Sequence, residues 1–514
     1  MNTPAAARLP TLAHARGLYR AARLSDAAEA LLALLRAPAA PAEAALLLAR
    51  VELRRGRIAA ALAVLETAPR GARARLPKAE AAMLRAAAYA RLGDPASARA
   101  QFKAAAGLLH PADDLSAELL YHRAAADWIE RRLDAASRVL ARLPLTLDDD
   151  LDLQVRILRG AIASAGENLP SQGAILLEAL ARARAVVDPN AYLHAMLVTQ
   201  IAALSVELPS RELRDASLEE LPRVRWTADV ADLHFHALRA VAWRHALDGD
   251  EFNAFRRLKE AAAVTASPAW RVAALTDRAY LASAFDETRW AAQELRDAHE
   301  LAATIDWGSV EGEEKLALPV LAELFATRDP SVAIHYAATF KRVGASYSRL
   351  LSSHRDRRVA ALEAYCFGRL QAELGESAEA RRLLARAYEI YDRMGIRWRA
   401  GRAALALAAL TGADEWRGRA DEALRSYPRC WLLRDASRGS AAPAAQSPEL
   451  DRLTPAQRAV FDLLMEGCST AEIAERLARS TFTVRNHIKA IFKTFGVSSR
   501  AALILRATSS LTAP

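Results

Sequence analysis

Only three cysteines, Cys366, Cys430 and Cys468, occur in 514 residues. They are odd in number, far apart and in no CxxC or metal-ligand spacing, which excludes a disulfide framework and fits a reducing compartment. Aromatic residues are 6% of the chain and Gly and Pro number 21 each. An all-β fold would need more turn formers and more aromatic or β-branched residues, so this scarcity favours helices. Long apolar runs are also missing, because Arg, Glu or Asp interrupts each Leu/Ala stretch well before the roughly 18–20 residues that span a bilayer. The first residues, MNTPAAARLPTLAHARGLYRAARL, scatter arginines and contain no compact apolar segment, so no secretory signal is read. The expectation is a soluble cytoplasmic protein with no membrane partner.

No GxxxxGK[ST], HExxH, GxSxG or GxGxxG pattern occurs, and no alternation of strand and helix periods that would build a phosphoacceptor domain. No catalytic set, metal site or cofactor is expected, and the protein is not read as an enzyme. His234 and His236, two residues apart on a helical stretch, face different sides and make a poor metal pair. Asp148, Asp149 and Asp150 read as a solvated acidic loop.

The chain does have Ala and Leu in abundance: 52% of it is hydrophobic and 25% charged. A small residue followed four positions later by a large apolar one recurs at Ala27/Leu31, Ala61/Leu65, Ala98/Phe102, Ala136/Leu140, Ala254/Leu258, Ala291/Leu295 and Ala380/Leu384. The series also includes Ala174, weaker members lie near Ala216 and Ala333, and successive anchors are roughly 34 to 47 residues apart. The clearest units are AAAYARLGDPASARAQFKAA, with Tyr89, Gly93, Ala98, Phe102 and Ala105, and ELGESAEARRLLARAYEIY, with Gly375, Ala380, Leu384 and Ala387. In each, Gly ends a first helix, the small Ala lets a second approach it, and Phe102 or Leu384 fills the space between repeats. These units resemble tetratricopeptide repeats. The resemblance implies an α-solenoid of about ten helix pairs over residues 1–433, a sensor or interaction array for a peptide, protein or small molecule.

Residues 434–452 lose the helical stripe in RDASRGSAAPAAQSPELDR, which reads as a flexible linker. A compact segment, 453–510, follows. Thr454 and Gln457 form a capping box around Pro455, and Ser469 with Glu472 form a second. Ser480 caps a longer helix, TFTVRNHIKAIFKTF, which Gly496 closes. Val484, Ile488, Ile491 and Phe495 make its buried stripe, while Arg485, Lys489 and Lys493 align on another face, bordered by Asn486.

A short helix, a three-residue turn and a longer basic helix are the plan of a helix-turn-helix. Net charge is +9, and residues 476–514 hold seven basic residues and no acid, as expected for contact with nucleic acid. The whole run, LTPAQRAVFDLLMEGCSTAEIAERLARSTFTVRNHIKAIFKTFGVSSRAAL, resembles the LuxR-type helix-turn-helix of bacterial transcription regulators. That resemblance implies an all-α, four-helix domain that binds double-stranded DNA as a homodimer. It places base contacts at Arg485, Asn486 and Lys489 and phosphate contacts at Thr481, Thr483, Lys493 and Arg500. It implies a dimer contact at Ala501, Ala502 and Leu505, with RNA polymerase as a candidate partner. The sequence departs from the family pattern at Gln457, Phe482 and Thr494, where Glu, a charged residue and a basic residue are usual. The functional expectation is a sequence-specific transcription regulator; the alternative is a helical-repeat interaction scaffold with an accessory DNA-binding tail.

Overall fold

The computed structural model describes residues 11–37, 41–67, 75–144, 146–285, 288–310, 312–350, 357–433, 452–465, 468, 470–477, 479–497 and 503. Among them there is no strand. The helices run α1 (Leu12–Arg20), α2 (Leu24–Leu35), α3 (Ala42–Arg54), α4 (Ile58–Thr67), α5 (Arg75–Arg91), α6 (Pro95–Leu108), α7 (Asp114–Ile129) and α8 (Leu133–Leu140). They continue with α9 (Asp149–Ala165), α10 (Leu169–Ala185), α11 (Ala191–Glu207), α12 (Arg211–Glu220), α13 (Ala231–Leu247), α14 (Glu251–Val264), α15 (Pro268–Ala284) and α16 (Thr288–Ala303). Next come α17 (Ala317–Ala326), α18 (Pro330–Leu350), α19 (Arg357–Glu373), α20 (Ser377–Arg393), α21 (Arg397–Thr411) and α22 (Asp414–Leu424). Three more, α23 (Pro455–Met465), α24 (Thr470–Arg476) and α25 (Thr481–Phe495), make up the described part of the tail.

From α1 to α22 each odd-numbered helix packs on the even-numbered one that follows, giving eleven pairs among the described residues, and first helices also touch those of the next pair. This is a tetratricopeptide-like α-solenoid. Most of its anchors are buried as the spacing requires: Ala27, Ala61, Ala136, Ala254, Ala291, Ala333 and Ala380 are fully enclosed, with Leu31, Leu258 and Leu384 against them. Ala174, expected among them, is instead exposed, the adjacent Gly173 facing the core, and Ala216 is half-buried. Glycine serves the same purpose on some first helices. A Cβ added at Gly368 would meet the Leu384 side chain at 2.8 Å, and one at Gly401 would meet the Leu424 side chain at 2.6 Å, so in those pairs the leucine of the second helix seats directly on the glycine of the first.

The turn inside a pair has one recurring geometry. In the pair α5–α6 the Gly93 N–H donates to the Ala90 carbonyl at 3.2 Å and the Asp94 N–H to the Tyr89 carbonyl at 2.9 Å, with Gly93 at φ 74°. These bonds satisfy helix-end carbonyls that would otherwise lack partners. Gly56, Gly249 and Gly375 repeat the left-handed position at φ 73°, 76° and 81°. Ala22, Arg131 and Glu167 occupy it at φ 57°, 61° and 63°, where a side chain costs about 1–2 kcal/mol relative to glycine.

The array coils on itself. Ser25 in α2 donates its backbone N–H to Asp229 at 2.9 Å, and Thr227 Oγ1 donates to the Ala22 carbonyl at 2.7 Å. Arg357 at the start of α19 pairs with Glu167 at 2.9 Å, and Arg399 in α21 lies 3.4 Å from Glu207 at the end of α11. The last two contacts join helix pairs five repeats apart, so the first helices of successive pairs face a common interior.

Asp148–Asp150, expected as a loop, instead start α9. Asp148 Oδ1 accepts the Leu151 N–H at 3.0 Å, Asp149 and Asp150 lie in the first turn, and Asp150 also accepts from Asn190 at 2.9 Å. Carboxylates there complement the positive helix end and its free N–H groups, which outweighs their mutual repulsion. His234 stacks on Trp226 at 4.3 Å between centroids and His236 meets Trp270 edge-on at 4.4 Å, so both are packing partners. No described helix is long and apolar enough to cross a membrane.

Candidate nucleic-acid interface

The tail builds its site from caps inward. Thr454 Oγ1 accepts the Gln457 N–H at 3.3 Å while Gln457 Oε1 accepts the Thr454 N–H at 3.0 Å, a reciprocal box that fixes the start of α23. Glu472 is exposed in the first turn of α24, 3.9 Å from Lys259 of α14. Its proposed cap partner Ser469 lies outside the described residues. Ser480 has extended backbone, φ −70° and ψ 148°, and its Oγ accepts the Thr483 N–H at 3.1 Å. Gly496 ends α25 in the left-handed region at φ 62°, and the following Val497 N–H reaches the Phe492 carbonyl at 2.9 Å.

Between these caps α25 is held by an apolar core of its own. Val484, Ile491 and Phe495 are fully buried with Val460, Leu464 and Ile473, and Ile488 and Leu477 pack against them partly buried. Phe461 stacks on Phe495 with centroids 5.2 Å apart and planes 7° from parallel. Leu453, Phe461, Cys468, Ala474 and Leu503 complete the cluster. The sequence holds a signal for Phe461, which stands three residues before Leu464 and so shares its helical face.

With its apolar side anchored, α25 turns the other side outward. Arg485, Asn486, Lys489 and Lys493 are exposed. Among the described residues no carboxylate pairs with Arg485, Lys489 or Lys493, so their charge is available to an external anion. Thr481 is exposed at the helix start; Thr483 is half-buried and its hydroxyl lies 2.8 Å from that of Ser480. Phe482 is 71% exposed and, at three, seven and eleven residues before Arg485, Lys489 and Lys493, lies on their face. Thr494, at a usually basic position, returns its hydroxyl to the Ala490 carbonyl at 3.0 Å. His487 is half-buried at the edge of the core. Arg500, Ala501, Ala502 and Leu505 lie outside the described residues.

Chemically, this is a helix with a donor-rich face, a positive stripe without carboxylate partners among the described residues, and hydroxyls at its N-terminus. Arg and Lys match guanine O6 and N7, Asn matches adenine N6 and N7, and an aromatic edge matches the thymine methyl. A helix of this kind fits the major groove, which is about 12 Å wide.

Among solved structures, a human IFIT1 dimer with m7Gppp-AAAA is similar at 16% identity, covering 84% of this chain and 96% of that one with a TM-score of 0.37. The APC/C hetero-tetramer Cut9–Hcn1 is similar at 14% identity, covering 83% and 95%, with a TM-score of 0.28. Comparison with curated protein sequences gives no match. Residues 451–507 match the family described as bacterial regulatory proteins, luxR family, so the tail that presents α25 is a LuxR-type helix-turn-helix domain.

Proposed function

We propose that this protein is a sequence-specific transcription regulator in which a helical-repeat array, residues 1–433, receives a ligand or partner. Through residues 434–452 it controls the DNA-binding domain, 453–510. The observation that carries this reading is the exposed and unpaired stripe Arg485, Lys489 and Lys493 on a helix whose opposite side is locked into a core. Arg485, Asn486 and Lys489 read base edges; Thr481, Thr483, Lys493 and Arg500 hold phosphates. Two copies bind paired half-sites, with Ala501, Ala502 and Leu505 at the contact between them, and ligand on the array changes how the two domains are presented.

Sequencing of genomic DNA fragments retained by the full-length protein, beside the variant Arg485→Ala/Asn486→Ala/Lys489→Ala, tests the reading. Discrete peaks sharing a two-half-site motif and lost in the variant are expected. Identical, featureless retention by both proteins would leave a helical-repeat scaffold as the better description. Sedimentation with and without operator DNA tests the pairing: a monomer under both conditions overturns it.

A further inference from the structure

The inner face of the coiled array encloses a cavity of about 580 Å³, within the range of small-molecule sites. It is built mainly by first helices from α7 to α21, with Arg131 from the α7–α8 turn and Gln172 from α10, and closed where α19 and α21 meet Glu167 and Glu207. Half-buried Trp128, Trp243 and Tyr280 supply flat apolar surface to it.

Its polar lining is incomplete in a patterned way. On one wall the side-chain oxygens Oε1 of Gln172, Oε1 of Gln200 and Oε2 of Glu207 are buried without a hydrogen-bond partner among the described residues. On the facing helix α21 the Nε1–H of Trp398 and the Nε–H of Arg402 are likewise unpartnered, although Trp398 is only 1% exposed and Arg402 8%. Buried polar groups in folded proteins are ordinarily satisfied, so five orphans around one space call for an occupant that supplies both donors and acceptors. Carboxylates answer most of the lining arginines: Arg239 is held by Asp277, Arg357 by Glu167, Arg399 by Glu207 and Arg402 by Glu323. Arg131 has no carboxylate partner among the described residues.

Arg131 is also one of two cavity-lining side chains, with Glu167, set in the left-handed turn position that glycine fills in α3–α4, α5–α6, α13–α14 and α19–α20. A long side chain kept at that position against its backbone preference, and directed at a cavity, marks a functional constraint.

We propose that this cavity is the sensory site of the repeat array. It takes a small organic anion with a flat aromatic body and an N–H donor, its anionic group held by Arg131 and its N–H by the Gln172–Gln200–Glu207 wall. The assignment rests on the sensory role proposed above for the array and names its ligand class.

The test uses full-length protein without DNA and two fluorescent probes that share an anilinonaphthalene body and an N–H: 8-anilinonaphthalene-1-sulfonate, an anion, and N-phenyl-1-naphthylamine, which is neutral. One saturable site for the sulfonate is expected, with at least tenfold weaker binding of the neutral probe. Arg131→Gly, which relieves the backbone constraint and so keeps or raises Tm, weakens the sulfonate about tenfold and leaves the neutral probe unchanged. Phe482→Ser and Val187→Ser, which remove the most exposed apolar side chains, leave both probes unchanged. Equal affinity for the two probes, an unaltered sulfonate Kd in Arg131→Gly, or loss of binding in the surface variants overturns the assignment. Because no DNA is present, those outcomes leave the operator reading intact, and failure of the operator search leaves the site standing.

Discussion

At the scale of single residues, the function proposed for α25 assigns it two kinds of contact that would respond differently to mutation. Arg485→Ala removes a candidate base contact, and each lost bidentate pair costs about 1–3 kcal/mol of discrimination against the wrong base. Lys493→Ala, three turns of the stripe away from the helix start, should weaken binding to all sequences alike and lower the salt slope of log K by about 1. Titrations of one operator and one scrambled duplex at several salt concentrations separate the two. A sequence-selective effect of Lys493→Ala would move it from phosphate to base. Ser480→Ala loses the bond to the Thr483 N–H, an expected cost of about 1 kcal/mol in stability of the tail.

Caps and stripes of this kind are legible in sequence because they depend on neighbours a few positions away. Ser480, Gly496 and the Thr454–Gln457 box are local chemistry, with partners three or four residues away. Asp148–Asp150 show the limit of that reading. Three consecutive acids look like a loop until the helix that follows supplies N–H groups and Asn190 arrives from forty residues away.

At the scale of elements, turn glycines are not equivalent. Gly93 and Gly249 both have positive φ, but an added Cβ at Gly93 meets nothing, whereas at Gly249 it would lie 2.8 Å from the Arg429 carbonyl oxygen. Gly93→Ala should cost about 1–2 kcal/mol from backbone conformation alone. Gly249→Ala should cost more, because a backbone atom has to move as well; urea midpoints of the two variants at equal m-value give the comparison. In the tail, Phe461→Ala opens a hole against Phe495, and truncating a buried Phe costs about 3–5 kcal/mol. Loss of DNA binding together with α25 order by hydrogen exchange is the expected outcome. Retained order would mean that the remaining core suffices to hold the helix.

At the scale of the whole molecule, burial inside the coil sets a pH dependence. Burial, reinforced by the neighbouring Arg239 guanidinium, pushes His236 down to about 4 from its ordinary value of 6.5. The unfolded chain therefore binds a proton that the folded chain resists, and stability is lost as pH falls from about 6.5 towards 4. Tm measured across that window should decline less steeply in His236→Leu than in the wild-type chain. An identical slope would assign the decline to other groups.

The sequence by itself determined the helical class, the pairing of neighbouring helices and the basic face of α25, because helical period, small-to-large spacing and capping act over short separations along the chain. Tertiary structure alone decided which repeats meet across the coil. Arg357 with Glu167 and Arg399 with Glu207 are about 190 residues apart, and their meeting follows from small rotations accumulated over five helix pairs, a sum that no single repeat encodes. The cavity with its unpartnered amides and the tryptophan surfaces exist only once that sum is complete.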